Sequence, residues 1–411
     1  MISSRAILFV ATSSNATPGG GRTRIVDVAR EVRKKNFKPY ILCFVYGTQM
    51  LSGLRFLAHG RARLEADAGC PVYYAPMLPF GRLALVDWLN NWFCGLLLSF
   101  FARQLQVGIV YGHGVKAGHL GLFARKMLPR LKIVSDIQGL LVDEYRYERV
   151  SSGPDAVSRR MERDEAETLA GSDWLIVVSQ AMQNYYESRL RRPLKNSALI
   201  PCATRADFHP DPERRSTLRR EHELDNKFVL CYAGSAEKYQ LPGAMCRLFK
   251  NILPHTPDAF LLIFSHQPAV FERFLRAEGI DSACYKITSV PHSQIFDNLQ
   301  MGDVGLLLRD DSPVNRVASP TKFAEYCLCG LPVLTTPYVG DFSEYVRQFS
   351  LGHQVDLSNL QADKALLTFL QNVRERRAEY ADRCADFARQ HLTWDVHGPA
   401  LAGLFTSLSQ L

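Results

Sequence analysis

The chain has no apolar run as long as the ~20 residues a membrane span needs, no repeat of fixed period and no low-complexity tract. These absences argue against an integral membrane protein, a solenoid or propeller, and a disordered chain. Its ten cysteines include no pair with zinc-ligand spacing, and most stand inside apolar runs, as Cys43, Cys94, Cys231 and Cys327 do. Reduced, buried thiols in a cytosolic protein account for that pattern. The opening MISSRAILFVAT lacks a long h-region and a small-residue cleavage site, so it reads as a first buried strand rather than a signal peptide. Residues 1–132 lack the interleaved aromatic and basic side chains that stack single-stranded nucleic acid, so no nucleic-acid partner is expected.

What is present is 411 residues, more than one core usually fills, and a net charge of +8 that is unevenly placed. Residues 1–132 hold 18 Lys and Arg against five Asp and Glu, a net of +13, which leaves −5 for the other 279. A basic first part suits an anionic surface such as acidic membrane lipid. Residues 88–101, WLNNWFCGLLLSFF, are the most lipid-like stretch; short and carrying two asparagines, they read as a buried helix, with membrane insertion as the alternative.

The chemistry concentrates in residues 303–335. Val304 to Leu308 reads as a strand buried on both faces, followed by a polar loop with Asp310, Asp311, Pro313 and Asn315. Ser319 suits a helix N-cap, Pro320 the first helical position, and Gly330 the close; Leu331 to Thr335 is the next buried strand. Strand, helix and strand in this order form a right-handed parallel crossover, which binds ligands at the carboxyl ends of its strands. The helix mouth with Lys322 suits a phosphate or diphosphate, and Glu325 suits a vicinal diol such as a ribose.

The string SPTKFAEYCLCGLPV resembles the nucleotide-sugar site of glycosyltransferase family 4, the retaining, metal-independent transferases. The resemblance implies an α/β architecture of two facing Rossmann-like domains (GT-B type) with an interdomain cleft and a terminal helix crossing back to the first domain. It sets an acceptor domain at 1–195, a donor domain at 196–390 and the returning helix at 391–411. Glu325 matches the glutamate that holds the donor ribose; the first glutamate of the family motif falls at Val317, a departure. Backbone amides from Ala318 through Ser319 and Pro320 to Thr321 would hold the diphosphate, with Lys322 beside them.

By the same resemblance, Gly234 lies against the donor, Lys238 supplies a basic group, and Ser289 to Pro291 lie near the base. In the first domain, Gly19, Gly20 and Gly21 form a turn into a helix, and Arg22 and Arg24 are candidates for acceptor or phosphate contacts. His113, at the end of a strand and flanked by glycines, is matched to the histidine that contacts the donor sugar; Asp136 is placed to position an acceptor hydroxyl. Glu162 and Glu165 read as a solvated helix face.

The implied activity is retaining transfer from a nucleoside diphosphate sugar, UDP- or GDP-linked, to a glycan or lipid-linked acceptor, with no cofactor and no metal, in bacterial cell-surface polysaccharide or lipid-linked glycan synthesis. The expected location is cytoplasmic, peripheral at the inner face of the plasma membrane. The alternatives are an inactive transferase fold that only binds, and a same-fold nucleotide-sugar epimerase.

Overall fold

The computed structural model describes residues 3–12, 20–46, 54–78, 84–149 and 155–410. The chain divides into two compact units, Met1–Pro201 with His397–Leu411, and Cys202–Val396.

In the first unit the strands are β1 Ser3–Ala11, β2 Lys38–Tyr46, β3 Val72–Met77, β4 Val107–His113, β5 Lys132–Ile137, β6 Trp174–Val177 and β7 Ser197–Leu199. They pair in parallel in the order β3-β2-β1-β4-β5-β6-β7. In the second unit β8 Phe228–Ala233, β9 Ala259–Phe264, β10 Tyr285–Thr288, β11 Val304–Leu307, β12 Val333–Thr335 and β13 Gly352–Gln354 pair in the order β10-β9-β8-β11-β12-β13, again all parallel. Runs such as FVLCYA and AFLLIF are buried at every position, as a sheet covered on both faces by helices requires. In both sheets the chain order reverses direction, between β1 and β4 and between β8 and β11. The carboxyl ends of those pairs are where such folds hold ligands.

The last helix, Trp394–Ser409, falls within residues 391–411 and carries Pro399 inside it. Leu401, Phe405 and Leu408 recur at helical spacing and are buried, with the Phe405 ring near Phe37 and Tyr111 of the first unit. That packing is why the terminal segment groups with residues far from it in sequence.

The Ala84–Gln104 helix corrects the expectation of a buried helix at 88–101. Its packed face carries Asn90, Asn91, Cys94, Gly95, Leu98, Ser99 and Ala102. Leu85, Trp88, Leu89, Phe93, Leu96 and Phe100 are exposed. Gly95 permits the close approach: a Cβ there would stand 2.7 Å from that of Phe123. The asparagines are used inside, Asn90 Oδ1 accepting from Leu78 N–H at 2.9 Å and Asn91 Oδ1 from Lys116 Nζ at 2.8 Å.

Candidate functional site

At the switch point of the second sheet, β8 leads into Gly234 and β11 leads through Leu308 to Arg309. Gly234 adopts φ +149°, and a Cβ there would lie 2.5 Å from Lys322 Nζ, so only glycine leaves the lysine its place. Lys322 is the second residue of the Thr321–Leu328 helix. Its Nζ donates to Gln240 Oε1 at 2.6 Å and to the Tyr232 hydroxyl at 3.1 Å, and stands 4.4 Å from the Tyr232 ring centroid. The Arg309 guanidinium donates to the same Gln240 oxygen and to Tyr239 O. An ammonium and a guanidinium thus converge on one neutral amide oxygen. Burial first, and the Arg309 charge second, push the Lys322 ammonium well below the ordinary lysine range, against the opposing pull of Glu325.

Glu325 lies one turn after Lys322 on the same helix and is nearly buried. Its Oε1 meets His292 Nε2 at 3.1 Å, and the His292 side chain is 55% exposed. A carboxylate held by an exposed imidazole can exchange that partner for hydroxyl groups of a ligand. Ser289, just beyond β10, is exposed, with its Oγ 2.6 Å from His266 Nδ1. Val317, where the family motif has its first glutamate, is buried.

Several local expectations are corrected. The helix cap is Pro320, in extended conformation and without a side-chain capping bond, and the helix starts at Thr321. The Ser319 hydroxyl accepts instead from the Cys202 N–H at 3.0 Å, so it ties the entry of the unit to its site helix rather than capping it. Of the four expected phosphate amides, Ala318 donates to Asn315 O at 3.1 Å and proline has no N–H, which leaves Ser319 and Thr321. Lys238 is exposed at the head of a short 3-10 turn, and Gln240, two residues on, makes the contact with Lys322. Arg309, Gln240, Tyr232 and His292 were missed. Arg309 alone had a signal, a charged residue immediately after a buried apolar strand.

The first unit's switch point is occupied differently. His113 closes β4 with its side chain fully buried, 2.7 Å from Gln138 Nε2 and 3.7 Å from Asp136 Oδ2. Asp136 accepts from Arg24 Nε and Nη2 at 2.8 and 2.9 Å, from Tyr111 Oη at 2.5 Å and from Gln138 Nε2 at 2.8 Å. Arg24 also donates to the carbonyls of Ile200 and Pro201. Burial opposes the charged carboxylate, but Arg24 and the hydrogen bonds outweigh it and hold Asp136 below its ordinary range. Asp136 and Arg24, expected to meet acceptor or phosphate, are therefore spent on each other. Arg22 pairs with Asp67 at 3.0 Å.

Gly20 and Gly21 are the first two residues of the Gly20–Lys34 helix rather than a turn before it; Gly19 lies outside the described residues. Glu165 is buried, accepting from Tyr186 Oη at 3.0 Å and Arg189 Nη1 at 3.2 Å, not solvated; Glu162 is half-buried and pairs with Arg146. Among the described residues, no group of three or more His, Cys, Asp and Glu could hold a metal.

Residues 18–208 match the model of the family described as Glycosyltransferase Family 4. Over 99% of this chain and 100% of the other, the fold is similar to that of HepE from Anabaena in complex with UDP and glucose, at 17% identity and a TM-score of 0.72. WaaG, a glycosyltransferase involved in lipopolysaccharide biosynthesis, is similar at 13% identity and a TM-score of 0.64, over 97% and 99% of the two chains. A TarM variant from S. aureus, in complex with Fondaparinux, alpha-GlcNAc-glycerol and UDP, is similar at 7% identity and a TM-score of 0.67, over 99% and 100%. At these identities the likeness shows the two-domain GT-B fold. No curated protein matches the chain in sequence.

Proposed function

We propose that the chain, whose residues 18–208 match the glycosyltransferase family 4 model, transfers a sugar from a nucleoside diphosphate sugar to an acceptor hydroxyl with retention of configuration. The observation that carries this reading is the convergence of Lys322 and Arg309 on Gln240 Oε1 beside Gly234. Two cationic donors aimed at one point are arranged for the two linked charges of a diphosphate, whose oxygens would replace the amide as acceptor. Glu325 takes the ribose hydroxyls in exchange for His292, and Ser289 lies toward the base.

In the reaction the bond from the anomeric carbon to the diphosphate breaks and a bond to the acceptor oxygen forms. The acceptor proton leaves with the departing phosphate oxygen. Charge grows on the leaving group, and Lys322 and Arg309 stabilise it as it grows. Burial disfavours the Lys322 ammonium, and an arriving diphosphate favours it. UDP-glucose is the first donor to try, given what HepE binds. The acceptor is a glycan or lipid-linked intermediate of cell-surface polymer synthesis.

The test is a thermal-shift series with UDP-glucose, UDP-galactose, GDP-mannose and UDP on the wild type and Glu325→Ala. One donor at a hundred times its Kd should stabilise the wild type by about 2.7 kcal/mol, with most of that lost in the variant. Anomer analysis of the product by NMR then reads retention. No shift with any donor overturns the reading. Val317, buried where the family carries a glutamate, favours a second reading of a binding protein without turnover; donor binding with no product would select it.

A further inference from the structure

The Ala84–Gln104 helix is amphipathic the wrong way round for a protein in water. Its asparagines face the packed side, while Leu85, Trp88, Leu89, Phe93, Leu96 and Phe100 are each 44–66% exposed. Positions 85, 89, 93, 96 and 100 step by three or four, so they form one continuous stripe along four turns. Leu78, whose backbone is pinned to Asn90, adds a further side chain 49% exposed. Single exposed leucines need no explanation, but a stripe of six large apolar side chains marks an interaction face.

The rim of the stripe is cationic. Arg159, Arg160 and Arg163 line a recess with Ala84 at the helix start, Arg103 is exposed in its last turn, and Lys126 stands 4.3 Å from the Phe123 ring centroid and 5.5 Å from that of Trp92 along its flank. The neighbouring acids are engaged: Asp87 with Arg160 at 2.9 Å, Glu162 with Arg146 at 2.7 Å, and Glu167 with His119 at 3.0 Å.

We propose that this face docks on an anionic lipid bilayer, with the helix lying in the headgroup layer and its stripe reaching the acyl boundary. The helix is long and apolar enough to cross a membrane, but its inner face is committed to the fold through Asn90, Asn91 and Gly95, so it lies on the surface rather than spanning. Trp88 suits the water–lipid interface, and the basic rim is attracted by acidic headgroups. A second copy of this chain would bring the same cationic rim against itself.

The inference is independent of the sugar-transfer reading. Co-sedimentation is measured with vesicles of phosphatidylcholine containing one-third phosphatidylglycerol, and with phosphatidylcholine alone. The wild type binds the anionic vesicles at least tenfold more tightly, and binding weakens with salt. The triple variant Trp88→Ala, Phe93→Ala, Leu96→Ala loses at least tenfold, yet keeps its melting temperature and its shift with donor. Arg159→Glu with Arg163→Glu lowers the affinity and flattens the salt dependence. Trp88 fluorescence moves to the blue and is quenched by brominated lipid, and Trp88→Phe removes that component. Wild-type binding no tighter than that of the triple variant overturns the proposal. So does a dimer in sedimentation velocity that the triple variant dissolves while neither protein binds vesicles.

Discussion

The two switch points are built from the same sheet order and filled with opposite electrostatics. In the first unit a buried arginine meets a buried carboxylate that four donors saturate, so the charges close on themselves. In the second, an ammonium and a guanidinium meet at a neutral amide oxygen, and burial weakens the ammonium's hold on its proton. A neutralised pair serves the fold; cations converging on a neutral acceptor are what the proposed diphosphate site requires. Both are buried and polar, and whether a carboxylate or a neutral amide faces the arginine tells them apart.

The largest expected effect breaks the comparison on the first side. Asp136→Ala leaves Arg24 buried without its carboxylate and should destabilise the protein by about 3–5 kcal/mol in urea unfolding. If stability falls by less than about 1 kcal/mol while transfer collapses, Asp136 belongs to the acceptor chemistry instead.

Next comes Lys322→Met on the second side. Removing a desolvated ammonium should leave unliganded stability level or higher, while donor affinity drops about 10- to 100-fold, the worth of a charged hydrogen bond. Stability falling as far as in Asp136→Ala would make the two sites alike and remove the anion reading.

The smallest effect sharpens the comparison through pH. The folded pKa of Lys322 lies below its unfolded value, so between the two the unfolded chain holds the extra proton. The Lys322 contribution to unliganded stability therefore rises as pH rises through that window and is unfavourable below it. A diphosphate favours the charged lysine, so binding takes up a proton and tightens toward lower pH. Titration calorimetry in two buffers of different ionisation enthalpy reads the uptake, and Lys322→Met should abolish it.

The strands were legible because parallel sheets covered on both faces write themselves as continuous apolar runs, as at Phe228–Ala233 and Val304–Leu307. Residues 303–335 also announced the site helix, and Lys322 and Glu325 sit on it. The start of that helix was misplaced by one residue because Ser319 has the chemistry of a cap and a better partner in Cys202, which is 117 residues away. Arg24 and Asp136 looked free for the same reason: their partners are 112 residues apart, and no local pattern reports them. The stripe at 85–100 was hidden by composition, since a helix apolar nearly all round does not say which face is covered.

Sequence by itself determined the parallel crossover in residues 303–335 and the helix that bears Lys322 and Glu325, because period, apolar runs and turn chemistry act over a few residues, and the family resemblance implied the pair of α/β units. Tertiary structure alone decided which charges are closed off by a carboxylate and which meet a neutral amide, and which side of the Ala84–Gln104 helix meets solvent. Burial and pairing are properties of neighbours in space, and the chain brings those neighbours from more than a hundred residues away.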